Sequence, residues 1–271
     1  MITKIAMVQM PLDPPQPAAP ILSAEAVTKR FAGLVAVDAM SLAVGKGEML
    51  GLVGPNGAGK TTLFNLLAGS LKPDAGTVRL AGADVSREGA SRRLSRGLGR
   101  TFQIPRPFPA MSVVENMLVG AQGQTGERLG AGLFAPFRTR RDERAAREKA
   151  AALLDFVSLT RLADEPARVL SGGQRKLLEL ARLMMADPAV LLLDEPAAGV
   201  NPALMDVIAA RIADINAGGV SVLLIEHNIE LIRALCPRVV VMAAGSLLAE
   251  GPADDVLRRD DVVAAYLGEA V

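Results

Sequence analysis

Residues 54–62 read GPNGAGKTT, a run of small residues whose backbone could bind phosphate. From Gly54 to Thr61 the run matches the pattern G-x-x-x-x-G-K-[ST], with a strand pattern before it and a helix pattern after it. Small side chains let consecutive N–H groups turn inward and bind an anion at a helix N-terminus. We therefore expect Lys60 to reach the β- and γ-phosphates of ATP and the Thr61 hydroxyl to ligate Mg²⁺. The predicted nucleotide-binding residues of this phosphate loop are Gly54, Pro55, Asn56, Gly57, Ala58, Gly59, Lys60, Thr61 and Thr62.

A second candidate site is the pair of carboxylates that ends the apolar stretch VLLLDEP at 190–196. Open α/β sheets bind ligands at the carboxyl ends of their strands, so this pair is expected near the phosphate loop. We expect Asp194 to hold Mg²⁺ through water and Glu195 to polarise the attacking water. In an extended chain Glu195 points away from Asp194, which separates the two roles. Taken alone, an Asp-Glu pair at a strand end is as often a solvated turn, and the phosphate loop upstream favours catalysis.

The stretch LSGGQRK at 170–176 predicts a second set of N–H donors at a helix N-terminus. Its candidate anion-binding residues are Ser171, Gly172, Gly173 and Gln174. The alternative interpretation is an ordinary serine N-cap followed by glycines. One ATP cannot occupy both anion sites if they lie far apart. A head-to-tail dimer, in which the LSGGQ of each chain closes over the nucleotide of the other, satisfies both.

The elements next to the phosphate loop follow from local patterns. Residues 22–30 and 39–54 have the apolar runs and turn residues of strands. A helix is expected from about residue 61 to 67 or beyond, with Gly69 ending it. Two glycine-bearing turns at 74–86 predict a short hairpin.

The order of elements predicts an α/β fold. From Gln174 onward, apolar strands alternate with amphipathic helices, which indicates a parallel sheet covered on both faces. The middle of the chain changes character, with a glycine-rich segment at 120–136 followed by a charged helix pattern. We expect this region, roughly residues 105–180, to be a helical insertion at the side of the sheet.

Composition narrows the class of protein. The chain has 271 residues, with 30 Lys and Arg against 29 Asp and Glu, which disfavours broad electrostatic binding to nucleic acid. Cys236 is the only cysteine, so no intrachain disulfide can form. This cysteine content is consistent with a protein of a reducing compartment. No apolar run approaches the roughly 18 residues that a spanning helix requires. We expect a cytosolic protein whose membrane role depends on partner proteins, with residues 1–20 as a disordered extension or a misassigned start.

Five motifs in this order resemble the nucleotide-binding subunit of an ABC transporter: GPNGAGKTT, RTFQ, LSGGQ, LLLDEP and IEH. The resemblance covers about residues 22–268. It implies a P-loop NTPase domain over 21–271, with a mostly parallel core sheet, an N-terminal antiparallel β subdomain and the inserted helical subdomain. It also implies ATP hydrolysis, with ATP and Mg²⁺ as cofactors.

The resemblance implies roles for three further residues. Gln103, in RTFQ, is expected to sense Mg²⁺ and to contact the transmembrane partner. His227, the only histidine of the chain, is expected to contact the γ-phosphate. The ring of Phe31 is expected to lie against adenine. Without the motif order, these three residues would be interpreted as a polar loop residue, a surface residue and a core residue.

The chain departs from the family pattern after DEP, where the family usually has Ser-Ala-Leu-Asp and this sequence reads AAGVNP. Asn201 stands in place of the aspartate at the dimer seam. Asparagine keeps the hydrogen-bonding shape and loses the charge. The departure therefore bears on coupling between subunits through this position, whereas catalysis by Glu195 is not affected.

Finer details resemble the ATPase subunits of branched-chain amino acid importers. They are the stretches GRTFQIPRPFPAMSVVENMLVG, EPAAGVNP, IEHN and VVAAYLGEA, together with the glycine-rich insertion. The resemblance implies two integral-membrane permeases, a second related ATPase and, indirectly, a periplasmic substrate-binding protein. The ATPase pair is expected to be a heterodimer in the complex and a homodimer in isolation. The expected location is peripheral, at the cytoplasmic face of the inner membrane.

Three alternatives stay open. Urea or amide importers of the same group look similar, and spacing does not separate them. A lipopolysaccharide-export ATPase shares AGV after DEP, although RTFQ and the insertion count against it. A soluble ABC ATPase acting on ribosomes or DNA usually carries two such domains or long coiled coils, which 271 residues do not fit. In RTRRDERAAREK (138–149) acids alternate with bases, which favours a solvated helix face over a nucleic-acid patch.

Overall fold

Two β-sheets position the motifs. The computed structural model describes residues 20–101, 107–122 and 136–267. Its strands are β1 (Pro20–Phe31), β2 (Leu34–Gly45), β3 (Met49–Val53), β4 (Ala75–Leu80), β5 (Ala83–Asp84), β6 (Leu98–Arg100), β7 (Val190–Asp194), β8 (Ser221–Ile225), β9 (Arg238–Ala243) and β10 (Ser246–Pro252). In the described ranges they form a six-stranded sheet in the order β10-β9-β3-β8-β7-β6 and a four-stranded sheet in the order β2-β1-β4-β5.

The six-stranded sheet is parallel except at one edge. Strands β6, β7, β8, β3 and β9 pair in parallel, and β10 runs antiparallel to β9. All residues of β3, β7 and β8 are buried. Leu191 and Leu193 pack into the apolar core on one face, whereas Val190 and Leu192 pack into the core on the other. The predicted parallel sheet, covered on both faces, is confirmed.

The four-stranded sheet is antiparallel and contains the predicted hairpin. Leu80 pairs with Ala83 across its turn, which confirms the prediction for residues 74–86. Strand β1 begins at Pro20, the last residue assigned to the N-terminal extension. The rest of that extension, residues 1–19, lies outside the described residues.

Helices cover both faces of the core sheet. They are α1 (Lys60–Ala68), α2 (Ala90–Ser95), α3 (Val113–Leu118), α4 (Pro136–Phe156), α5 (Gly172–Met184), α6 (Pro202–Ala217), α7 (Ile229–Leu235), α8 (Ala253–Val256) and α9 (Asp260–Leu267). Helix α1 ends at Gly69 with a φ of 77°, as the sequence predicts. Helices α3, α4 and α5 lie in the chain between β6 and β7, where the helical insertion is expected. The limits 21–271 and 105–180 stay predictions.

The charged helix α4 has an exposed face on which Arg144 pairs with Glu148 at 2.9 Å. This contact joins a base and an acid one turn apart, as the interspersed charges of this stretch predict. None of the helices in the described ranges has the length and apolarity needed to cross a membrane.

Candidate functional site

The phosphate loop connects the end of β3 to the start of α1. Gly54 has a φ of 147°, and a Cβ atom there would lie 2.2 Å from the carbonyl oxygen of Met242. Gly59 has a φ of 95°, and its Cβ would lie 2.3 Å from the carbonyl oxygen of Ala36. Only glycine fits both positions without a backbone shift. The two glycines therefore let the loop pass directly against β9 and β2 before α1 begins.

The Lys60 side chain is buried against its own loop. Its Nζ donates to the carbonyl oxygens of Gly54 and Pro55, at 2.7 Å for Pro55. Sequence alone predicts that this ammonium reaches the β- and γ-phosphates. In this structure the two carbonyl oxygens hold it at the base of the loop.

A cavity of about 620 Å³ lies beside the loop and joins several predicted residues. This volume is in the range of small-ligand sites. The cavity is lined by Phe31, Leu34, Val35, Ala36, Asn56, Gly57, Ala58, Gly59, Lys60, Thr61, Thr62, Glu195, Ile225, His227, Ala244 and Gly245. The structure thus brings the Phe31 ring, the phosphate loop, Glu195 and His227 to one space. Gly54 and Pro55 do not line it and instead contact Lys60 behind its wall.

The two carboxylates lie at the carboxyl end of β7, where the sequence predicts them. Asp194 is buried, and this burial, together with the nearby Glu195 charge, raises the pKa of its carboxyl. Glu195 has a φ of 49°, in the left-handed region, so the expectation of an extended chain at this pair is wrong. The Glu195 N–H donates to the Ile225 carbonyl oxygen at 2.9 Å, which ties the turn to the end of β8.

His227 contacts the carboxylate that is expected to polarise water. Its Nε2 lies 3.1 Å from Oε1 of Glu195. The histidine follows β8, which is the direct neighbour of β7 in the sheet. Adjacent parallel strands end at the same edge, so residues that are 32 positions apart meet there. The predicted γ-phosphate contact and the predicted base are therefore hydrogen-bond partners in this structure.

Sequence reasoning missed two residues that hold the Glu195 turn. Lys176 of α5 donates from Nζ to the Glu195 carbonyl oxygen at 2.8 Å, and its burial lowers the pKa of its ammonium. Glu226 is buried and accepts from the N–H of Ala197 at 2.9 Å. Both residues lie inside quoted motifs, LSGGQRK and IEH, and that proximity is the signal that could have found them.

The LSGGQ residues form a helix start that lies outside the cavity. Ser171 is the N-cap of α5, its side chain accepts from the Gln174 N–H, and Gln174 bonds back to the Ser171 N–H. Ser171 and Gly172 are exposed, Gly173 is buried and Gln174 is half-buried. The structure of one chain does not bring Ser171–Gln174 to the phosphate loop. Gln103 lies outside the described residues, although Thr101 of the same RTFQ motif donates from N to the Leu192 carbonyl oxygen at 2.9 Å.

Asn201, the departure at the seam, has a local structural role. It is the N-cap of α6, and its Oδ1 accepts from the Leu204 N–H at 2.9 Å. Asparagine and aspartate are similarly good N-caps, so the helix start tolerates the exchange.

Oxygen donors near the cavity suit a small hard cation. Mg²⁺ takes one or two carboxylates together with substrate phosphates and water. The Thr61 hydroxyl lines the cavity and is of this type. The Asp194 carboxylate is also of this type; it does not line the cavity but directly precedes Glu195, which does. A cation there would offset the burial cost and the repulsion from Glu195, which together raise the Asp194 pKa. The residues present therefore fit the ion.

Known proteins resemble this chain along most of its length. A family model described as ABC transporter matches residues 37–198. The high-affinity branched-chain amino acid transport ATP-binding protein BraF of Pseudomonas aeruginosa is 42% identical over 252 residues, covering 93% of this chain and 99% of that protein. The probable branched-chain amino acid transport ATP-binding protein LivG of Archaeoglobus fulgidus is 40% identical over 248 residues, covering 92% and 95%.

Solved structures agree with this assignment. An ATP-binding cassette of an ABC transporter in its ADP conformation has a TM-score of 0.80 at 34% identity, covering 93% of this chain and 100% of that one. A nucleotide-free cassette from an ABC transporter has a TM-score of 0.79 at 35% identity, covering 91% and 98%. The predicted P-loop NTPase fold is thus confirmed. On the family match and on identities above 30% across nearly the whole chain, this protein belongs to the ABC transporter family, as one of its ATP-binding cassettes.

Proposed function

We propose that this chain is the ATP-hydrolysing subunit of an importer for branched-chain amino acids. The cavity that joins the phosphate loop to Glu195 and His227 carries the ATPase part of the proposal. The transported molecule rests on the likeness to BraF and LivG, whose names give branched-chain amino acid transport.

The nucleotide would lie along the cavity from Phe31 to His227. The Phe31 side chain, 43% exposed, offers a ring face for adenine. Backbone N–H groups of residues 56–62 face the phosphates at the N-terminus of α1. Lys60 exchanges its bonds with the Gly54 and Pro55 carbonyl oxygens for the β- and γ-phosphate oxygens.

Thr61 and Asp194 would hold Mg²⁺, with Gln103 as a third candidate ligand. The ion, when bound, neutralises charge on the phosphates. Asp194 then stays ionised in its buried position, because the cation lowers the cost of the buried charge.

Glu195 would orient the attacking water and accept its proton. His227 keeps the Glu195 carboxylate at the edge of the cavity through the 3.1 Å contact between Nε2 and Oε1. Lys176 and Glu226 hold the backbone that follows the Glu195 side chain, through the Glu195 carbonyl oxygen and the Ala197 N–H. Positioning and electrostatics supply most of the catalysis in phosphoryl transfer, so these contacts would act by positioning the carboxylate.

Two cassettes would complete each site. Ser171–Gln174 lie outside the cavity of their own chain, so we assign them to the nucleotide of the partner cassette in a head-to-tail dimer. We propose a second, related ATPase as this partner, two integral-membrane permeases and an indirectly coupled periplasmic binding protein. The subunit would lie peripherally at the cytoplasmic face of the inner membrane.

Uptake in a deletion strain tests this proposal. Loss of the gene should abolish energised uptake of labelled leucine, isoleucine and valine, and the wild-type gene should restore it. A Glu195→Gln copy should not restore it, whereas the matched surface variant Glu230→Gln should. Loss of urea or amide uptake, with leucine uptake intact, would replace the proposed substrate and leave the ATPase function standing.

A further inference from the structure

The C-terminal helix α9 brings the only tyrosine of the chain to the phosphate loop. Val262 of this helix is 1% exposed and belongs to the apolar core on one face of the sheet. Tyr266, four positions later and on the same helix face, packs against that core with its ring. The helix is thereby docked next to the end of β3, where the loop begins.

The Tyr266 hydroxyl oxygen accepts a hydrogen bond from the Gly54 N–H at 2.7 Å. The two residues are 212 positions apart in sequence. Gly54 is the first residue of the phosphate loop, it is buried, and its φ of 147° is open to glycine alone among ordinary residues. The hydroxyl therefore contacts the loop at the residue where the chain leaves the sheet.

Gly54 is also a partner of the phosphate-binding lysine. Its carbonyl oxygen accepts from Nζ of Lys60. The N–H of Gly54 thus contacts Tyr266 and its C=O contacts Lys60, so that one glycine with soft backbone dihedrals links the two side chains. In the proposed binding step Lys60 exchanges this carbonyl oxygen for phosphate. The Gly54 carbonyl then loses its contact with Lys60, and the Gly54 N–H keeps its bond with Tyr266.

We propose that Tyr266 is a positioning residue for ATP binding, which acts through Gly54 on the phosphate loop and on Lys60. The inference rests on the proposed nucleotide site. Tyr266 holds the start of the loop in its binding geometry while Lys60 exchanges carbonyl oxygens for phosphate oxygens. Linkage requires the reverse effect as well: nucleotide binding changes the environment of the Tyr266 hydroxyl and of helix α9.

A tyrosine that only fills the core would behave differently. Its ring would matter for stability, and its hydroxyl would not alter ATP affinity. Tyr266→Phe keeps the ring and removes only the oxygen that accepts from Gly54. The matched control is Val263→Ala, because Val263 lies on the same helix and is 43% exposed.

The test compares ATP binding and steady-state ATPase kinetics of the wild type, Tyr266→Phe and Val263→Ala. We expect Tyr266→Phe to bind ATP roughly five- to tenfold more weakly, because without this bond the loop occupies its binding geometry for only part of the time, with KM rising more than kcat falls. Val263→Ala should match the wild type. Binding of Tyr266→Phe within twofold of wild type overturns the inference. A wild type that does not bind ATP overturns the proposed function with it.

A spectroscopic readout comes from the single tyrosine. Wild-type protein labelled with 3-fluorotyrosine should give one ¹⁹F resonance from the folded chain, since Tyr266 is the only site of incorporation. Titration with a non-hydrolysable ATP analogue should shift this resonance with the same midpoint as binding. A resonance that stays unmoved at saturating nucleotide would contradict the coupling of Tyr266 to the loop.

Discussion

Glu195 combines a backbone conformation that favours glycine with a side chain that contacts His227. A left-handed conformation costs a non-glycine residue on the order of 1–3 kcal/mol, and it persists where the surroundings hold it. Here the surroundings are Ile225, which accepts from the Glu195 N–H, and Lys176, which donates to its carbonyl oxygen. The turn carries the carboxylate away from the path of β7 and to the edge of the cavity.

Glu195→Gln should abolish turnover while ATP binding stays near normal. The amide keeps the shape of the carboxylate but cannot accept a proton, so we expect a rate loss of about 100-fold or more. Lys60, Thr61 and Asp194 remain to hold MgATP. The variant should elute as an ATP-bound dimer on a sizing column, and Glu230→Gln is the control. Turnover within about threefold of wild type would mean that Glu195 is not the base.

Residues whose role depends on adjacent sequence could be predicted, and residues whose role depends on tertiary contacts could not. The phosphate loop is contiguous in sequence, so its glycines and Lys60 can be recognised from the nine residues 54–62 alone. The hydroxyl of Tyr266 meets Gly54 only because α9 docks beside β3. The sequence predicts an extended chain at Glu195, and this prediction is wrong. Contacts from β8 and α5 hold the residue at a positive φ, and the local sequence does not encode those contacts.

At the scale of elements, helix α5 joins two parts of the proposed site. Its N-terminus displays Ser171–Gln174, which are proposed to bind the partner's nucleotide. One turn further, Lys176 donates to the Glu195 carbonyl oxygen. A shift of this helix on dimerisation would therefore move the proposed base directly.

Lys176→Met should lower kcat roughly tenfold or more while ATP affinity stays near wild type, because misplacing a reacting group is costly even when binding is intact. Methionine keeps the apolar stem and removes the donor to Glu195. Arg175→Met is the matched control, since Arg175 is the exposed neighbour on the same helix. ATPase assays give kcat, and equilibrium binding gives the ATP affinity. A kcat within twofold of wild type would show that the contact does not position Glu195.

The elements that sequence predicts well are the long or fully buried ones. Strands β3, β7 and β8 are apolar on both faces, so they stand out as continuous runs. Strand β6, Leu98–Arg100, is three residues long and contains glycine and arginine, so no pattern marks it. It exists because the neighbouring β7 supplies its hydrogen bonds.

At the scale of the whole molecule, two cassettes are proposed to share each nucleotide. Two substitutions distinguish ATP binding by a single chain from closure of the dimer. Ser171→Arg should leave ATP binding to the single chain near normal and prevent ATP-dependent dimerisation, because the added bulk lies at the surface facing the partner. Lys60→Ala should instead lose ATP affinity. Equal loss of affinity in both variants would contradict the head-to-tail arrangement.

The control for this experiment is Ser171→Ala, which removes the N-cap of α5 without adding bulk. Loss of such a cap costs about 0.5–2 kcal/mol of stability. The melting temperatures of both Ser171 variants therefore show whether a loss of dimerisation comes from a destabilised helix α5 or from a blocked dimer interface. Ser171→Ala should dimerise measurably better than Ser171→Arg.

The outer surface of the cassette has a second cavity, which we call the apolar groove. It has a volume of about 410 Å³ and is lined by Ala68, Ser70, Ala90, Ser91, Leu94, Leu98, Arg100, Phe108, Val119, Gly120, Arg182, Leu183 and Ala186. Phe108 is 48% exposed and Val119 is 51% exposed on its rim. Such a patch fits an amphipathic helix of a partner. Because the groove adjoins the RTFQ region through Arg100, we expect a coupling helix of the permease there.

Val119→Glu should abolish co-purification of the cassette with its permeases and leave ATP binding by the isolated subunit unchanged. The glutamate places a charge in the contact without touching the nucleotide cavity, and burying an unpaired charge in an interface is costly. Leu247→Glu is the control, because Leu247 is 44% exposed and lies on β10, outside the groove. Wild-type protein extracted from membranes should bring down two permeases and a second, related ATPase. Equal recovery of the permeases with both variants would show that the permeases dock outside the apolar groove. Recovery of ribosomes or DNA without any integral membrane protein would contradict the importer function itself.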